Sequence, residues 1–319
     1  MRIVIIGGSG HVGTYLVPRL VEAGHEVINL TRGLRSPYRA HPAWAQVRAV
    51  EVDRKAEEQA GVFGERLRAL RPEAVVDMIC FTLESARHLV EALRGEVQHL
   101  LHCGTIWVHG PKLQAPTTED QPRRPFGEYG TQKAAVEAYL LEEARRGGFP
   151  ATVLHPGHIV GPGWAPINPA GNLNLGVFET LARGETLALP NLGLETLHHV
   201  HADDVARGFA QALDRRERAL GESFHIVSPA ALTLRGYAEA VAAWCGREAD
   251  LRFLPWEAWR QTVSEQDARD TWEHISRSPC CSIAKAERLL EYRPRYGSLE
   301  AVFEALTWLN EQGQLTIHR

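Results

Sequence analysis

Short apolar segments alternate with amphipathic stretches along the first half of the chain, which has 319 residues. The candidate strands are Arg2–Ile6, Glu26–Leu30, Gln46–Val52, Ala74–Ile79, His99–Cys103 and Thr152–His155. Apolar residues at helical spacing lie between them, at about 12–23, 55–70, 83–94 and 130–146. Apolar strands that alternate with helices are typical of a parallel sheet covered on both faces. The first half therefore predicts a Rossmann-type, doubly wound α/β domain.

The pattern changes after Gly161, where a long stretch rich in Gly, Pro and Asn runs to Asn172. Long loops inside compact domains are often functional. Beyond it, helical spacing recurs at about 174–183, 203–214, 233–245, 256–262, 282–290 and 298–311, and Phe224–Val227 has the pattern of a short strand. The sequence therefore predicts a smaller, mainly helical C-terminal lobe.

Composition narrows the class of protein. Apolar residues make up 44% of the chain, which is enough for a large hydrophobic core. The formal net charge is −4, so the composition does not indicate a nucleic-acid-binding surface. No apolar run reaches the length of a membrane span, and Met1–Gly7 is too short for a signal sequence. Five cysteines without regular spacing do not form a disulfide framework. We expect a cytoplasmic protein with neither a membrane nor a nucleic-acid partner.

A glycine-rich loop follows the first strand and opens the first helix. Gly7, Gly10 and Gly13 form a G-x-x-G-x-x-G pattern, with His11 and Val12 between the last two glycines. Glycines at these places permit a tight turn and bring bare backbone close to a pyrophosphate. The helix N-terminus adds unpaired N–H groups. This position in a βαβ unit predicts a dinucleotide-binding loop.

The second strand ends in Thr31 and Arg32, with no carboxylate at the place where NAD-binding chains usually carry one. An arginine there can bind a 2′-phosphate bidentately. The sequence therefore favours NADP over NAD. In the other interpretation, Arg32 is a solvated loop residue or stacks on the adenine without choosing between the cofactors.

Tyr129 and Lys133 lie four residues apart in a helical stretch and so share one face of the helix. An ammonium near a phenol favours the phenolate, so a group with an ordinary pKa of about 10 can exchange protons nearer neutrality. Such a pair also arises by chance, and its weight depends on its surroundings.

Taken in order, the motifs resemble those of the extended short-chain dehydrogenase/reductase superfamily, in its NAD-dependent epimerase/dehydratase branch. The resemblance covers almost the whole chain. Besides the glycine loop and the Tyr129–Lys133 pair, the matching stretches are Val52–Arg54, His102–Gly110, His155–Gly163, His201–Ala206, Ala284–Leu290, Arg293-Pro294 and Leu299–Leu309.

The resemblance implies a role for several residues. Tyr129 would be the acid/base, Lys133 would hold the nicotinamide ribose, and Thr105, 24 residues before the tyrosine, would bind the substrate oxygen. The cofactor would also contact Asp53, Pro156 and His158. Residues 1–165, with 195–230 returning to them, would bind NAD(P), whereas 166–194 and 231–319 would bind a small-molecule substrate. A homodimer is compatible with the family.

Several positions depart from the family pattern. Cys103 and Gly104 replace the usual serines, and His155 replaces the arginine of an Arg-Pro pair. Leu197 stands where many sugar-nucleotide enzymes carry an arginine for the substrate diphosphate. We therefore expect hydride transfer at a hydroxyl or carbonyl carbon of a sugar-like or other small substrate, with net reduction favoured modestly over epimerisation. The alternative is a catalytically silent cofactor-sensing or interaction protein. The resemblance to this branch, which has RNA-binding members in plants, extends this alternative to an RNA-associated role.

A metal site is conceivable at His199 and His201, which would share a strand face close to Asp203. The same stretch suits substrate lining and the start of a helix, since Asp203 and Asp204 are favourable at a helix N-terminus. We therefore expect no metal.

Overall fold

A computed structural model of the chain describes residues 1–317. Its strands are β1 (Arg2–Ile6), β2 (Glu26–Thr31), β3 (Arg48–Glu51), β4 (Ala74–Asp77), β5 (His99–Cys103), β6 (Ala151–Pro156), β7 (His158–Val160), β8 (Leu187–Pro190), β9 (Thr196–Leu197), β10 (His199–His201), β11 (Ser223–Ile226), β12 (Leu232–Thr233) and β13 (Leu251–Leu254). Its helices are α1 (Gly13–Glu22), α2 (Arg54–Gln59), α3 (Phe63–Ala69), α4 (Leu83–Leu93), α5 (Gly127–Arg146), α6 (Gly176–Arg183), α7 (Ala202–Asp214), α8 (Arg216–Ala219), α9 (Leu234–Trp244), α10 (Trp256–Trp259), α11 (Glu265–Ile275), α12 (Ala284–Leu290) and α13 (Ser298–Glu311).

The central sheet has the order β3-β2-β1-β4-β5-β6-β11, and every neighbouring pair in it is parallel. The chain reverses its direction of travel across the sheet between β1 and β4. Ligands of open α/β sheets bind at such a switch point, beyond the carboxyl ends of the strands. The predicted Rossmann-type fold is confirmed.

Side chains of β1 show why the strands are apolar throughout. Ile3 and Ile5 pack on one face of the sheet with α1 and α7, whereas Val4 and Ile6 pack on the other face with α3, α4 and α5. Successive side chains of a strand point to opposite faces. Both faces are covered, so both sets of positions must be apolar.

The predicted helix over 55–70 is two helices, α2 and α3. The chain turns between them at Gly61, whose φ of +72° favours glycine. Asp53 caps the first of them, since its carboxylate accepts a hydrogen bond from the Ala56 N–H at 3.1 Å. The predicted strand over 46–52 is correspondingly shorter, because its first residue ends a 3-10 turn, Pro42–Gln46.

A separate apolar core lies in the second half of the chain, where Phe178, Tyr237, Trp259 and Leu306 pack together. The sequence pattern did not predict α11, which packs beside this core. The exact division of the chain between a nucleotide domain and a substrate lobe stays a prediction. Among residues 1–317, none of the helices is both long and apolar enough to cross a bilayer.

Candidate active site

The glycine-rich loop over residues 7–13, called the phosphate loop below, requires its glycines for different reasons. Gly7 has a φ of +88°. A Cβ on Gly13 would lie 1.9 Å from the carbonyl oxygen of Gly8, which is far inside van der Waals contact. A Cβ on Gly10 would meet only the Gly7 carbonyl oxygen, at 3.5 Å. Gly13 is therefore needed for helix packing, whereas Gly10 leaves open space above the backbone.

Polar groups of β2 hold this loop in place. The buried Asn29 side chain accepts a hydrogen bond from the Gly8 N–H at 2.9 Å, and the hydroxyls of Ser9 and Thr31 lie 2.9 Å apart. Sequence reasoning missed Asn29, although an asparagine inside an apolar strand was the available signal. Thr31 thus supports the loop from the strand end predicted to contact the ribose, and the exposed Arg32 follows it.

His11 is buried under an aromatic cover. Its ring stacks on Trp164 at 5.0 Å between centroids and meets Tyr38 edge-on at 5.7 Å. Burial, followed by the nearby His201, lowers the pKa of His11 to about 3, so the ring is neutral at physiological pH. Val12, the next residue, is also buried. The loop after β7 therefore packs directly over the phosphate loop.

Lys133 lies at the carboxyl edge of the sheet. Its ammonium donates hydrogen bonds of 2.7 Å to the carbonyl oxygens of Cys80, just after β4, and Cys103, at the end of β5. The side chain is 1% exposed, and these bonds offset the cost of burying a charge. An ammonium has three N–H groups, so one remains for a ligand hydroxyl. The open space at Gly10 and this spare donor fit a bound dinucleotide.

Tyr129 lies one helical turn before Lys133 and is 43% exposed. Desolvation raises its pKa to about 12; the neighbouring Cys103 also raises it, and a hydrogen bond with Thr105 lowers it. The expectation that Lys133 would lower this pKa does not hold in this structure. The reason is geometric: the ammonium faces two carbonyl oxygens and lies 6.0 Å from the centre of the phenol ring.

Thr105 follows β5 in extended backbone conformation and begins a 3-10 turn, Ile106–His109. Its side-chain oxygen accepts a hydrogen bond from the Trp107 N–H at 3.3 Å, which leaves the hydroxyl hydrogen free to donate. The same hydroxyl lies close enough to the Tyr129 phenol to lower its pKa. The structure thus brings together Thr105, Tyr129 and Lys133.

The side chains next to Tyr129 include aromatic rings and uncharged imidazoles. Trp107 meets the Tyr129 ring edge-on at 5.7 Å and donates its indole N–H to His158 Nε2 at 3.3 Å. His274 of α11 lies 5.2 Å from the His158 ring. Burial, then repulsion by neighbours such as His274, holds the pKa of His158 well below its ordinary value. Pro156, also buried, ends the strand before His158.

Arg277 joins the region around α11 to the start of α5. Its guanidinium lies between the rings of Trp107 and Phe126, 3.8 Å from each centroid, and donates to the Phe126 carbonyl at 2.8 Å. Its other partner is Glu273, at 2.5 Å. Sequence reasoning missed both His274 and Arg277, because α11 itself was not predicted. The side chain is 1% exposed, and the two terminal nitrogens of the guanidinium already donate to these partners.

Leu197, at the place of the absent arginine, is fully buried in the second apolar core. Asn168 and Asn172, in the long loop after Gly161, bond to each other and to the loop backbone. These residues stabilise the loop and its surroundings.

The histidines after β9 have separate partners. His199 Nε2 lies 3.2 Å from the Ile167 carbonyl oxygen, whereas His201 stacks on Tyr296 at 3.9 Å and accepts a hydrogen bond from the Asp203 N–H at 3.0 Å. Among the residues described, one buried group has ligand atoms within 4.8 Å of one another: Asp77, Cys80 and His102. The Arg54 guanidinium contacts both carboxylate oxygens of Asp77, at 2.8 and 2.9 Å, so a cation already occupies that carboxylate.

Comparison with known proteins agrees with this geometry. The NAD dependent epimerase/dehydratase family model matches residues 3–226, and the chain belongs to this family. It is 27% identical to 2'-dehydrokanamycin reductase of Streptomyces kanamyceticus over 318 residues, which cover 99% of this chain and 86% of that protein.

Two solved structures share the fold. UDP-glucose 4-epimerase of Thermotoga maritima, solved with UDP-glucose, has a TM-score of 0.73 at 21% identity, over 98% of this chain and 99% of that one. dTDP-glucose 4,6-dehydratase of Bacillus anthracis, solved in complex with NAD, has a TM-score of 0.74 at 17% identity, over 98% of each chain.

Proposed function

We propose that this protein is an NADP-dependent oxidoreductase that reduces a carbonyl carbon of a sugar-like substrate lacking a nucleoside diphosphate. The observation that carries the proposal is the convergence of Thr105, Tyr129 and Lys133 at the carboxyl edge of the sheet, beside β4 and β5. Groups of these types, beside a dinucleotide loop, are suited to proton exchange with a substrate oxygen.

In the proposed reaction Tyr129 is the acid. A phenol with the ordinary pKa of about 10 is protonated at neutral pH, and the higher pKa of Tyr129 leaves it so. The residue therefore holds a proton for the substrate oxygen. When the substrate binds, the Thr105 hydroxyl turns its hydrogen from the phenol to the same oxygen and orients the carbonyl group. The third N–H of Lys133 binds a ribose hydroxyl. A bound nicotinamide supplies the hydride chemistry.

The preference for NADP rests on the end of β2. Thr31 is engaged with Ser9, and Arg32 is exposed beside it, so its guanidinium is available to a 2′-phosphate. The acidic group nearby is Glu51 of β3, whose carboxylate lies next to Gly33. A guanidinium is the side chain best matched to a phosphate group. The same strand end lacks the acceptor that NAD-binding chains use for the ribose hydroxyl.

The proposed substrate class rests on the charge of the side chains near Tyr129. His158 and His274 have lowered pKa values, chiefly because they are buried, and so present neutral imidazoles. Arg277 is committed to Glu273 and Phe126, and Leu197 offers no charge. Neutral donors and acceptors suit hydroxyl and carbonyl groups better than a diphosphate. The similarity to a reductase named for a keto-glycoside supports the same choice.

Two probes test the proposal. The protein is incubated with NADPH and 2′-dehydrokanamycin, and separately with NAD and UDP-glucose, while nicotinamide absorbance and the sugar products are followed. We expect NADPH oxidation with the keto-glycoside and no 4-epimer from UDP-glucose. Epimerisation of UDP-glucose would contradict the substrate class, and failure to bind either NADPH or NADH would contradict the oxidoreductase.

The role of Tyr129 is tested by Tyr129→Phe, which removes the transferable proton and keeps the ring. Turnover should fall by about a hundredfold or more, in the range for loss of a general acid, with NADPH affinity nearly unchanged. The control is Tyr139→Phe, since Tyr139 lies on the same helix and packs with the apolar core under the sheet. Equal turnover in the two variants would refute the assignment.

A further inference from the structure

Two departures from the family pattern touch each other. Gly104 and His155 lie on neighbouring strand ends, after β5 and within β6. A Cβ on Gly104 would lie 2.4 Å from Nδ1 of His155 and 3.0 Å from a methyl group of Val153. The imidazole therefore occupies its place only because residue 104 has no side chain. The glycine and the histidine form one structural unit.

The hydrogen bonds of His155 define its tautomer. The backbone N–H of Thr105 donates to His155 Nδ1 at 2.9 Å, so this nitrogen must hold a lone pair. His155 Nε2 lies 2.9 Å from a carboxylate oxygen of Glu137 and therefore carries the hydrogen that it donates. The imidazole is thus neutral, protonated at Nε2 and fully buried.

Glu137 is held in turn by Arg123. The guanidinium donates to the two carboxylate oxygens at 2.9 and 2.6 Å, and it also donates to the backbone carbonyls of Glu119 and Gln121. Burial raises the pKa of Glu137, but the hydrogen bonds from His155 and Arg123, with the positive charge of Arg123, lower it well below the ordinary value. The carboxylate is therefore ionised and anchored at both ends.

The helix α5 carries all the groups that this arrangement needs. Tyr129, Lys133 and Glu137 are spaced four residues apart and so lie along one face. The first two face the predicted cofactor and substrate, and the third reaches His155. The helix that carries Tyr129 therefore also holds the His155 imidazole next to the Thr105 backbone, through Glu137.

We propose that His155, oriented by Glu137, is a positioning residue that holds the backbone of Thr105 so that its hydroxyl meets the substrate oxygen beside Tyr129. This inference rests on the proposed role of Thr105 in reduction. His155 does not touch the substrate. It acts through the Thr105 N–H, which would otherwise be buried without an acceptor.

Two substitutions test the roles of the two ring nitrogens of His155 separately. His155→Asn keeps an acceptor near the position of Nδ1, whereas His155→Gln keeps a donor near the position of Nε2. The first variant should retain the hydrogen bond to Thr105, and the second should lose it. His99→Gln is the control, because His99 is another buried histidine, bonded to the Thr152 hydroxyl away from the site.

The direct readout is NMR of the isotopically labelled protein with NADPH bound. We expect a scalar coupling between the Thr105 amide nitrogen and His155 Nδ1, and an imidazole protonated at Nε2. The Thr105 amide proton should move upfield in His155→Gln and stay close to its original position in His155→Asn and His99→Gln. A His155 protonated at Nδ1, or an unmoved Thr105 signal in His155→Gln, would overturn the proposal.

Kinetics separate this inference from the proposed function. With whichever of the two probes is turned over, His155→Gln should lower kcat by about tenfold to a hundredfold through misplacement of Thr105, with His155→Asn recovering most of it. NADPH affinity should change by less than about threefold, because the phosphate loop and Lys133 are untouched.

The outcomes distinguish the two proposals. If Tyr129→Phe loses turnover while His155→Gln keeps the full kcat, only the positioning role of His155 is rejected. Neither probe being turned over would reject the proposed function, and the NMR result would still decide the geometry.

Gly104→Ala provides a second variant in which His155 itself is intact. The added Cβ would lie only 2.4 Å from His155 Nδ1, so it would push the imidazole out of its place. We expect the coupling to Thr105 to disappear, as in His155→Gln. A retained coupling would contradict the dependence of His155 on glycine at position 104.

Discussion

Lys133 shows how one side chain serves both the fold and the site. Its ammonium bonds to carbonyl oxygens that follow two neighbouring strands, β4 and β5, at the edge where a ligand of this fold binds. Burial lowers the pKa of Lys133, while the nearby Cys103, Cys80 and Asp77 act in the opposite direction. A residue in this position is fixed before any ligand arrives, so its remaining N–H is already oriented.

Arg32 is the residue on which the choice of cofactor depends. Removal of its guanidinium in Arg32→Ala should weaken NADPH binding by about tenfold or more, equivalent to at least 1.4 kcal/mol, because a charge-assisted contact with the 2′-phosphate is lost. NADH binding should change little. Titration of the cofactor fluorescence measures both affinities. Arg35→Ala, a nearby exposed arginine, is the control, and equal losses for the two cofactors in Arg32→Ala would refute the 2′-phosphate contact.

The sequence predicted some site residues and not others, for a physical reason. Tyr129 and Lys133 share a helix, so their spacing alone places them on one face. Thr105 was found through the family resemblance, in which a Ser or Thr precedes the tyrosine by about 24 residues. His155 stood out only as a departure, since its contacts with Thr105 and Glu137 join three separate elements. No local pattern encodes contacts of that kind.

At the scale of elements, two glycines of the phosphate loop have different roles, one in cofactor binding and the other in folding. Gly10→Ala adds a methyl group into open space, so it should leave the melting temperature nearly unchanged and weaken NADPH binding by about tenfold or more through steric exclusion. Gly13→Ala drives a methyl group into the Gly8 carbonyl, so it should destabilise the protein by about 1–3 kcal/mol or more. Thermal unfolding and cofactor titration of both variants measure the difference. The reverse pattern would contradict these separate roles.

Elements were predicted best where one periodicity ran without interruption. The helices α5 and α13 follow the expected pattern, although α5 begins three residues earlier and so includes Tyr129. The helix α11 was missed because it is polar, with mostly charged residues over Glu265–Glu273, and its few buried side chains do not form an apolar stripe. Tertiary contacts such as the bond from His274 to the Gly171 carbonyl, at 2.7 Å, fix its position instead.

At the scale of the whole molecule, buried imidazoles are a common feature. Burial is the main cause that lowers their pKa, to about 3 for His11, His99 and His199, about 4 for His198 and about 2 for His109. Their ordinary value is 6.5. The folded protein therefore keeps these rings neutral at a pH where the unfolded chain protonates them.

This difference predicts a strong loss of stability in mild acid. Between about pH 6 and pH 4 these five histidines alone make the unfolded chain bind roughly five more protons than the folded one, so the free energy of unfolding rises with pH and falls on acidification. Further buried histidines with lowered pKa values add to the difference, namely His102, His158, His225 and His274. Each such histidine contributes up to about 1.4 kcal/mol per pH unit. Urea unfolding at a series of pH values measures the slope. In His99→Gln one of these groups is absent, so the slope should decrease by about one proton, whereas a stability independent of pH over this window would show that the rings are protonated in the fold.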